Sequence, residues 1–280
     1  MDSAMVYRGL DIGTAKPPAA LRAKVPHHLI DILDPSDAYS AGGFARDAAA
    51  AIGGIAARGR LPVLVGGTLL YLRALRDGLA SLPRADEAVR RQLDADAAAT
   101  SWAIQHERLR AVDPEAAARI APADRQRIQR ALEVYLLTGQ PLSQLQREAK
   151  VTPSLDVQTI ALVPAQREDL AARIERRFDA MVAAGLVAEV QRLHGRGDLT
   201  LEMPSMRAVG YRQIWGYLDK SYDWEEARRR AIVATRQYAK RQLTWLRGDT
   251  NCEVWPAFAP DLITRCVGHL TLGGMIDAKS

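Results

Sequence analysis

The run Leu61–Val65, "LPVLV", followed at once by Gly66, Gly67 and Thr68 and then by "LLYLRALRDG", constrains the fold more than any other stretch. A short unbroken apolar run that ends in glycine reads as a strand buried on both faces, and the segment after it as a helix ending near Gly78. Strands of this kind belong to parallel sheets, whose members are joined by helical crossovers. The preceding stretch keeps the same alternation. Leu29–Ile32 is a short strand candidate, and Ser40 is placed to cap a helix that runs to Arg58 and stops at Gly59. The expected fold is α/β with a mostly parallel sheet.

From Leu82 the texture changes. Residues 83–125 include "RADEAVRRQLDADAAA" and "HERLRAVDPEAAARIAP", which are Ala-rich, charged and poor in strand formers, so a helical insertion is expected there. The chain then divides into a first core segment, 1–82, the insertion, 83–125, and a second core segment, 126–280. In the last, "RIQRALEVYLLTG" is a helix closed by Gly139, and "VQTIALVP" is β-like and returns to the sheet. Helices are expected over 167–184 and 186–195, and a long one from about Trp224 to Arg247. Hydrophobic residues are 48% of the 280 and charged residues 25%, enough for a sizeable core and too apolar for a disordered chain. Two cysteines, Cys252 and Cys266, are too few for a structural zinc site and are expected to be reduced. No basic-apolar leader opens the sequence and no apolar run is long enough to span a bilayer, so a cytoplasmic protein without membrane contact is expected.

Several stretches carry chemistry. In "VLVGGTLLY" the glycines let backbone N–H groups approach a ligand, and the helix N-terminus adds partial positive charge. That suits an anion such as diphosphate; the same pattern also makes a plain tight turn. In "MDSAMVYRGLDIGTAKP" Asp2 sits beside Ser3 at a strand end, where a carboxylate can take a proton from an amine or hydroxyl; a surface acid is the plainer alternative. Arg8 and Lys16 suit phosphate or solvent. "PSMRAVGYRQIW" sets Arg207 and Arg212 about Gly210, and "DRQRIQR" sets Arg127 and Arg130 on one helical face, with pairing to Asp124 or Glu133 as the alternative. On the long helix, Ile232, Ala239, Leu243 and Leu246 have the spacing of a buried face. Arg229, Arg236, Lys240 and Arg247 form a stripe beside it with no acid among them, which is expected to meet a polyanion. A net charge of +5 is compatible with that partner.

The stretches "DSAMVYRGLDIGTAKP", "PHHLIDILDPSDAYSAGGF", "PVLVGGTLLY", "QRIQRALEVYLLTG", "PSMRAVGYRQIWGYL" and "RQYAKRQLTWLRG" occur in this order over nearly the whole chain. Together they resemble the tRNA dimethylallyltransferase family. The resemblance implies a P-loop-NTPase-like parallel sheet core with a helical insertion domain. It implies transfer of the dimethylallyl group of dimethylallyl diphosphate to N6 of adenosine 37, next to the tRNA anticodon, by a monomer that uses Mg²⁺. By the same resemblance Asp2 receives the N6 proton, Thr68 lies beside the reacting base, and Arg207 completes the catalytic group. The family's tRNA-contacting positions correspond to Asp2, Ser3, Ala4 and Met5, to Thr68 and Arg90, and to Gln126, Arg127, Ile128, Gln129 and Arg130. They continue with Arg207, Ala208, Val209, Gly210, Tyr211 and Arg212, and with Lys240, Arg241, Gln242, Leu243, Thr244, Trp245, Leu246 and Arg247.

The family's opening strand and nucleotide-type phosphate loop, G-x-x-x-x-G-K-[ST], do not occur in these residues. An upstream segment of about 30 residues, the size of a βαβ element, is expected to carry them. Two other readings stand beside the first: a tRNA-binding protein without chemistry, and a transferase acting on free adenine nucleotides. The helical insertion and the basic last helix speak against the second, since a mononucleotide needs no such reach.

Overall fold

A computed structural model of the protein describes residues 1–80, 82–148, 155 and 157–276. The chain forms two compact units, one of Met1–Arg76 with Leu155–Ser280, the other of Asp77–Ser154.

The first unit begins with an irregular segment and then α1 (Ala19–Lys24), α2 (Ala41–Ala56) and α3 (Leu69–Arg76). It resumes with β1 (Ile160–Val163), α9 (Arg167–Ala183), α10 (Leu186–His194), α11 (Tyr211–Leu218), α12 (Trp224–Gly248), β2 (Glu253–Pro256) and α13 (Leu262–Ile276). Local chemistry sets many of these ends. The Ser40 hydroxyl accepts the Gly43 amide at 3.0 Å and starts α2, and Gly59, at φ +62°, turns the chain away after it. Asp223 caps α12 by accepting the Glu226 amide at 2.9 Å, with Glu225 and Glu226 in the first turn against the helix dipole.

β1 and β2 are parallel, in the register Ile160↔Glu253 to Val163↔Pro256, and among the described residues they are the whole sheet. The fold is thus a helix-rich α/β structure with a small parallel sheet, and the expected strand in 157–164 is present. Two other expected strands are not. Leu61–Val65 has no regular secondary structure and pairs with no strand among the described residues, and Val65 is 75% exposed. A strand needs a neighbour to take its hydrogen bonds, and among the described residues only the Val65 carbonyl finds one, from the Met1 amine at 2.6 Å. Leu29–Ile32 fails for another reason. Leu29 and Asp31 take φ of +60° and +57°, outside any strand, and Asp31 is drawn onto Lys16 and Arg22. A lone parallel bridge between Tyr7 and Leu33 is what remains of pairing there.

The main core gathers Val6, Tyr7 and Leu10 from the opening segment with Leu186, Val190 and Leu193 of α10, Tyr211 and Ile214 of α11, and Ile232 of α12. A smaller one stacks Phe44 of α2 on Tyr71 of α3, ring centroids 4.4 Å apart. α12 follows the expected span. Its apolar face is buried at Ala227, Ala231 and Ile232, while Ala239, Leu243 and Leu246 are half-buried.

The second unit is all helix among its described residues: α4 (Glu87–Ala99), α5 (Trp102–Val112), α6 (Pro114–Arg119), α7 (Arg125–Thr138) and α8 (Leu142–Glu148). Asp86, Ser101, Asp113 and Asp124 each cap the helix that follows them with a side-chain oxygen, and Gly139 closes α7 at φ +70°. This unit runs past residue 125 because Ile128, Ala131, Leu132 and Val134 of α7 bury against Leu93 of α4 and Leu109 of α5.

Candidate active site

Asp2 lies where the opening segment meets the Gly66–Gly67–Thr68 turn. Its Oδ1 accepts the amides of Ala4 at 2.8 Å and Met5 at 3.1 Å, which fixes the carboxylate by its own following backbone. Oδ2 accepts no hydrogen bond from the described residues, so a held carboxylate keeps one oxygen available. Thr68 meets the next residue, Ser3: the Thr68 hydroxyl accepts the Ser3 amide at 3.0 Å and donates to the Ser3 hydroxyl at 3.3 Å. Thr68 also starts α3, since its carbonyl accepts the Tyr71 amide at 2.9 Å.

The two glycines are explained by close approach of protein, not by a plain turn alone. A Cβ on Gly66 would come within 1.9 Å of the Met1 carbonyl oxygen, and Gly66 is at φ +153°. A Cβ on Gly67 would come within 2.3 Å of the Gln242 side-chain nitrogen. That nitrogen donates to the Gly67 carbonyl at 2.9 Å, and the Tyr238 hydroxyl donates to the same oxygen at 3.2 Å. α12 therefore grips the turn through residues one helical turn apart. Tyr238 and Tyr71 border Asp2 electrostatically. Burial, and then the Asp2 charge, push the Tyr238 phenol above its ordinary range. Burial, with Tyr7 and Asp2 behind it, does the same to Tyr71.

The opening segment is anchored a few residues further on. The buried Glu189 carboxylate of α10 accepts the amides of Asp11, Ile12 and Gly13 between 2.8 and 3.2 Å. It also accepts the Tyr211 hydroxyl at 2.5 Å. Gly13 is required here, because a Cβ would meet the Tyr211 ring at 2.4 Å. Lys16 neither holds phosphate nor faces solvent: its side chain is 3% exposed and its ammonium is spent on Asp11, Asp31 and the Tyr7 carbonyl.

The IPP transferase family model matches residues 5–249, well over half of the chain. The chain belongs to this family. It is 57% identical over 276 residues to a tRNA dimethylallyltransferase of Alkalilimnicola ehrlichii, covering 98% of the chain and 87% of that relative. Its fold is similar to the full-length tRNA isopentenylpyrophosphate transferase of Bacillus halodurans, with a TM-score of 0.67, 38% identity and coverage of 99% of this chain and 87% of that one. It is similar too to a eukaryotic dimethylallyltransferase described as acting on tRNA, with a TM-score of 0.72, 29% identity and coverage of 91% and 66%.

Of the residues singled out by sequence, the structure brings together Asp2, Ser3, Thr68 and Gln242. Ala4 and Met5 contribute the amides that hold Asp2. Arg207 is exposed and pairs with Glu202 at 3.5 Å. Ala208 and Val209 are half-buried in the turn before α11, and Gly210 and Tyr211 are buried. Arg212 is exposed on a cleft of about 520 Å³ shared with Gln213, Tyr222, Arg229 and Arg230. In the second unit Arg90 and Arg130 converge on the buried Glu133, at 2.8 and 2.6 Å, and Arg127 lies 3.5 Å from Asp124. Gln129 donates to Asp94, Gln126 is exposed, and Ile128 is core.

The stripe on α12 is not uniform. Arg229 pairs with Glu226, and Arg236 pairs with Glu175 of α9. Arg229 and then Arg230 draw the Glu226 carboxyl down to about 2. The expectation of four uncompensated cations fails for these two because acids on the preceding turn and on a neighbouring helix meet them. The ion pairs among the described residues include neither Lys240 nor Arg247, and both are exposed. Arg241 lies 5.8 Å from the Tyr238 ring centre, Thr244 is exposed, and Leu243, Trp245 and Leu246 are half-buried. Tyr238 is the site residue that sequence reasoning missed. Its spacing of four from Gln242 is the signal that points to it.

Among the described residues no group of three or more His, Cys, Asp or Glu side chains forms a metal cage. Mg²⁺ commonly binds through one or two carboxylates with substrate phosphates and water. Among the described residues the Asp2 neighbourhood offers it no closed site.

Proposed function

We propose that this protein transfers the dimethylallyl group of dimethylallyl diphosphate to N6 of adenosine 37, beside the anticodon of tRNA. The observation that carries the reading is the Asp2 carboxylate, held by two backbone amides with one oxygen free, next to Ser3, whose amide and hydroxyl meet Thr68 of the Gly-Gly-Thr turn. N6 of adenine is a poor nucleophile because its lone pair is delocalised into the ring. As N6 bonds to C1 of the dimethylallyl group, the C1–O bond breaks and its electron pair leaves with diphosphate. The proton displaced from N6 passes to the free Asp2 oxygen, which relieves the positive charge building there. The adenine reaches this site by leaving the stack of a single-stranded loop, where unstacking costs little. Mg²⁺, if bound by the diphosphate, would supply charge to neutralise that leaving group. On this reading the protein works as a monomer in the cytoplasm. Among the described residues, no helix is long and apolar enough to cross a membrane.

The test is nucleoside mass spectrometry of unmodified tRNA incubated with dimethylallyl diphosphate and the protein. Isopentenylated adenosine at the position beside the anticodon is expected. Modification of free adenine nucleotides in preference to tRNA, or binding of tRNA without transfer, contradicts the proposal.

A further inference from the structure

α12 meets the reacting centre at the Gly67 carbonyl oxygen, which accepts from both Tyr238 and Gln242, and the Tyr238 hydroxyl also interacts with the Thr68 side chain. That carbonyl and the Thr68 nitrogen belong to one planar peptide unit, so fixing the oxygen fixes the direction in which the chain enters Thr68. The Thr68 hydroxyl in turn meets the amide and hydroxyl of Ser3, next to Asp2. Lys240 sits about 200° around the helix from Tyr238, at 100° per residue, and is exposed. One helix thus presents a free cation outward and grips the catalytic turn inward.

We propose that Tyr238 is a positioning residue for prenyl transfer. Its hydroxyl, with the Gln242 amide, orients the Gly67–Thr68 peptide so that the Thr68 hydroxyl stays on Ser3 and the Asp2 carboxylate stays aimed at the reacting base. The ring is 38% exposed, so its packing alone does not account for its place beside the turn. This rests on the reading of Asp2 and Thr68 as the reacting centre, and the test separates the two.

The variants are Tyr238→Phe, which keeps the ring and removes only the hydroxyl, Thr68→Val, and the two combined. Single-turnover transfer at saturating tRNA is measured with tRNA affinity and thermal unfolding. Tyr238→Phe is expected to slow transfer about tenfold, the weight of one hydrogen bond, with tRNA affinity within about twofold and a normal melt. The double variant is expected to be no slower than Thr68→Val alone, because Tyr238 acts through the same turn. A Tyr238→Phe rate equal to the unaltered protein, a loss explained by a lowered melt, or losses that multiply in the double variant overturns the proposal. If Thr68→Val itself leaves the rate unchanged, the reading of the centre falls and this proposal with it.

Discussion

Gly66 shows how a single residue serves the site. Its φ of +153° and the 1.9 Å approach to the Met1 carbonyl leave no space for a side chain, and the obstacle is backbone. Gly66→Ala is expected to cost about 1–3 kcal/mol and to push the Met1–Asp2 segment off the turn, lowering the melting temperature and the transfer rate together. Gly53, inside α2, has nothing within 4 Å of a built Cβ, so Gly53→Ala is expected to stabilise by about 0.5–1 kcal/mol with unchanged transfer. Equal effects of the two changes in a thermal melt would contradict this account of the turn. Glu189 is a second such position. Glu189→Gln leaves one carbonyl oxygen where two carboxylate oxygens now accept three amides and a phenol, a loss of about 1–3 kcal/mol read by denaturant unfolding. Neither Glu189 nor Lys16 was legible in the sequence. An acid inside an amphipathic helix reads as surface and Lys16 reads as suited to phosphate or solvent, and only the tertiary fold supplies the amides and carboxylates that bury them.

Among the elements, helices were legible where a capping residue or a closing glycine bounded them, as at Ser40 for α2 and Gly139 after α7, and the Asp223 cap of α12 is seen only in the structure. Leu61–Val65 was not, because an apolar run reports a preference for burial while a strand also requires a partner. The α12 stripe was legible only in part. Sequence shows cations on a face, and only the fold shows that Glu226 and Glu175 answer two of them. The prediction for this helix narrows accordingly. Replacing Lys240 and Arg247 with Ala is expected to flatten the plot of log tRNA affinity against log salt by about 0.7–0.9 for each phosphate that is no longer neutralised. Replacing Arg229 and Arg236 is expected to change that slope less and stability more. A slope unmoved by the Lys240 and Arg247 changes makes them ordinary solvated cations.

For the molecule as a whole, each unit has its own core and its own response to acid. In the second unit Glu133 is buried, which pushes its carboxyl up, but Arg90, Arg130 and the Asp86 amide outweigh that and hold it below its ordinary 4.5. Asp113 is likewise lowered, since Ser143 and the Ala116 amide outweigh its burial. Groups with lowered folded-state pKa stabilise fully above their ordinary values, and that stability is lost as pH falls through the lowered ones. The melting temperature is therefore expected to drop between neutral pH and about pH 3, and Glu133→Gln, already destabilised, is expected to drop less over the same range. On the proposed mechanism, Asp2 of the first unit takes the N6 proton. Its most direct test is the single-turnover rate of dimethylallyl transfer to tRNA by Asp2→Asn, with tRNA affinity measured in parallel. The account predicts a fall of about a hundredfold or more in rate, as for loss of a general base, with affinity within a few-fold. A rate near that of the unaltered protein would remove Asp2 from the chemistry and contradict the mechanism.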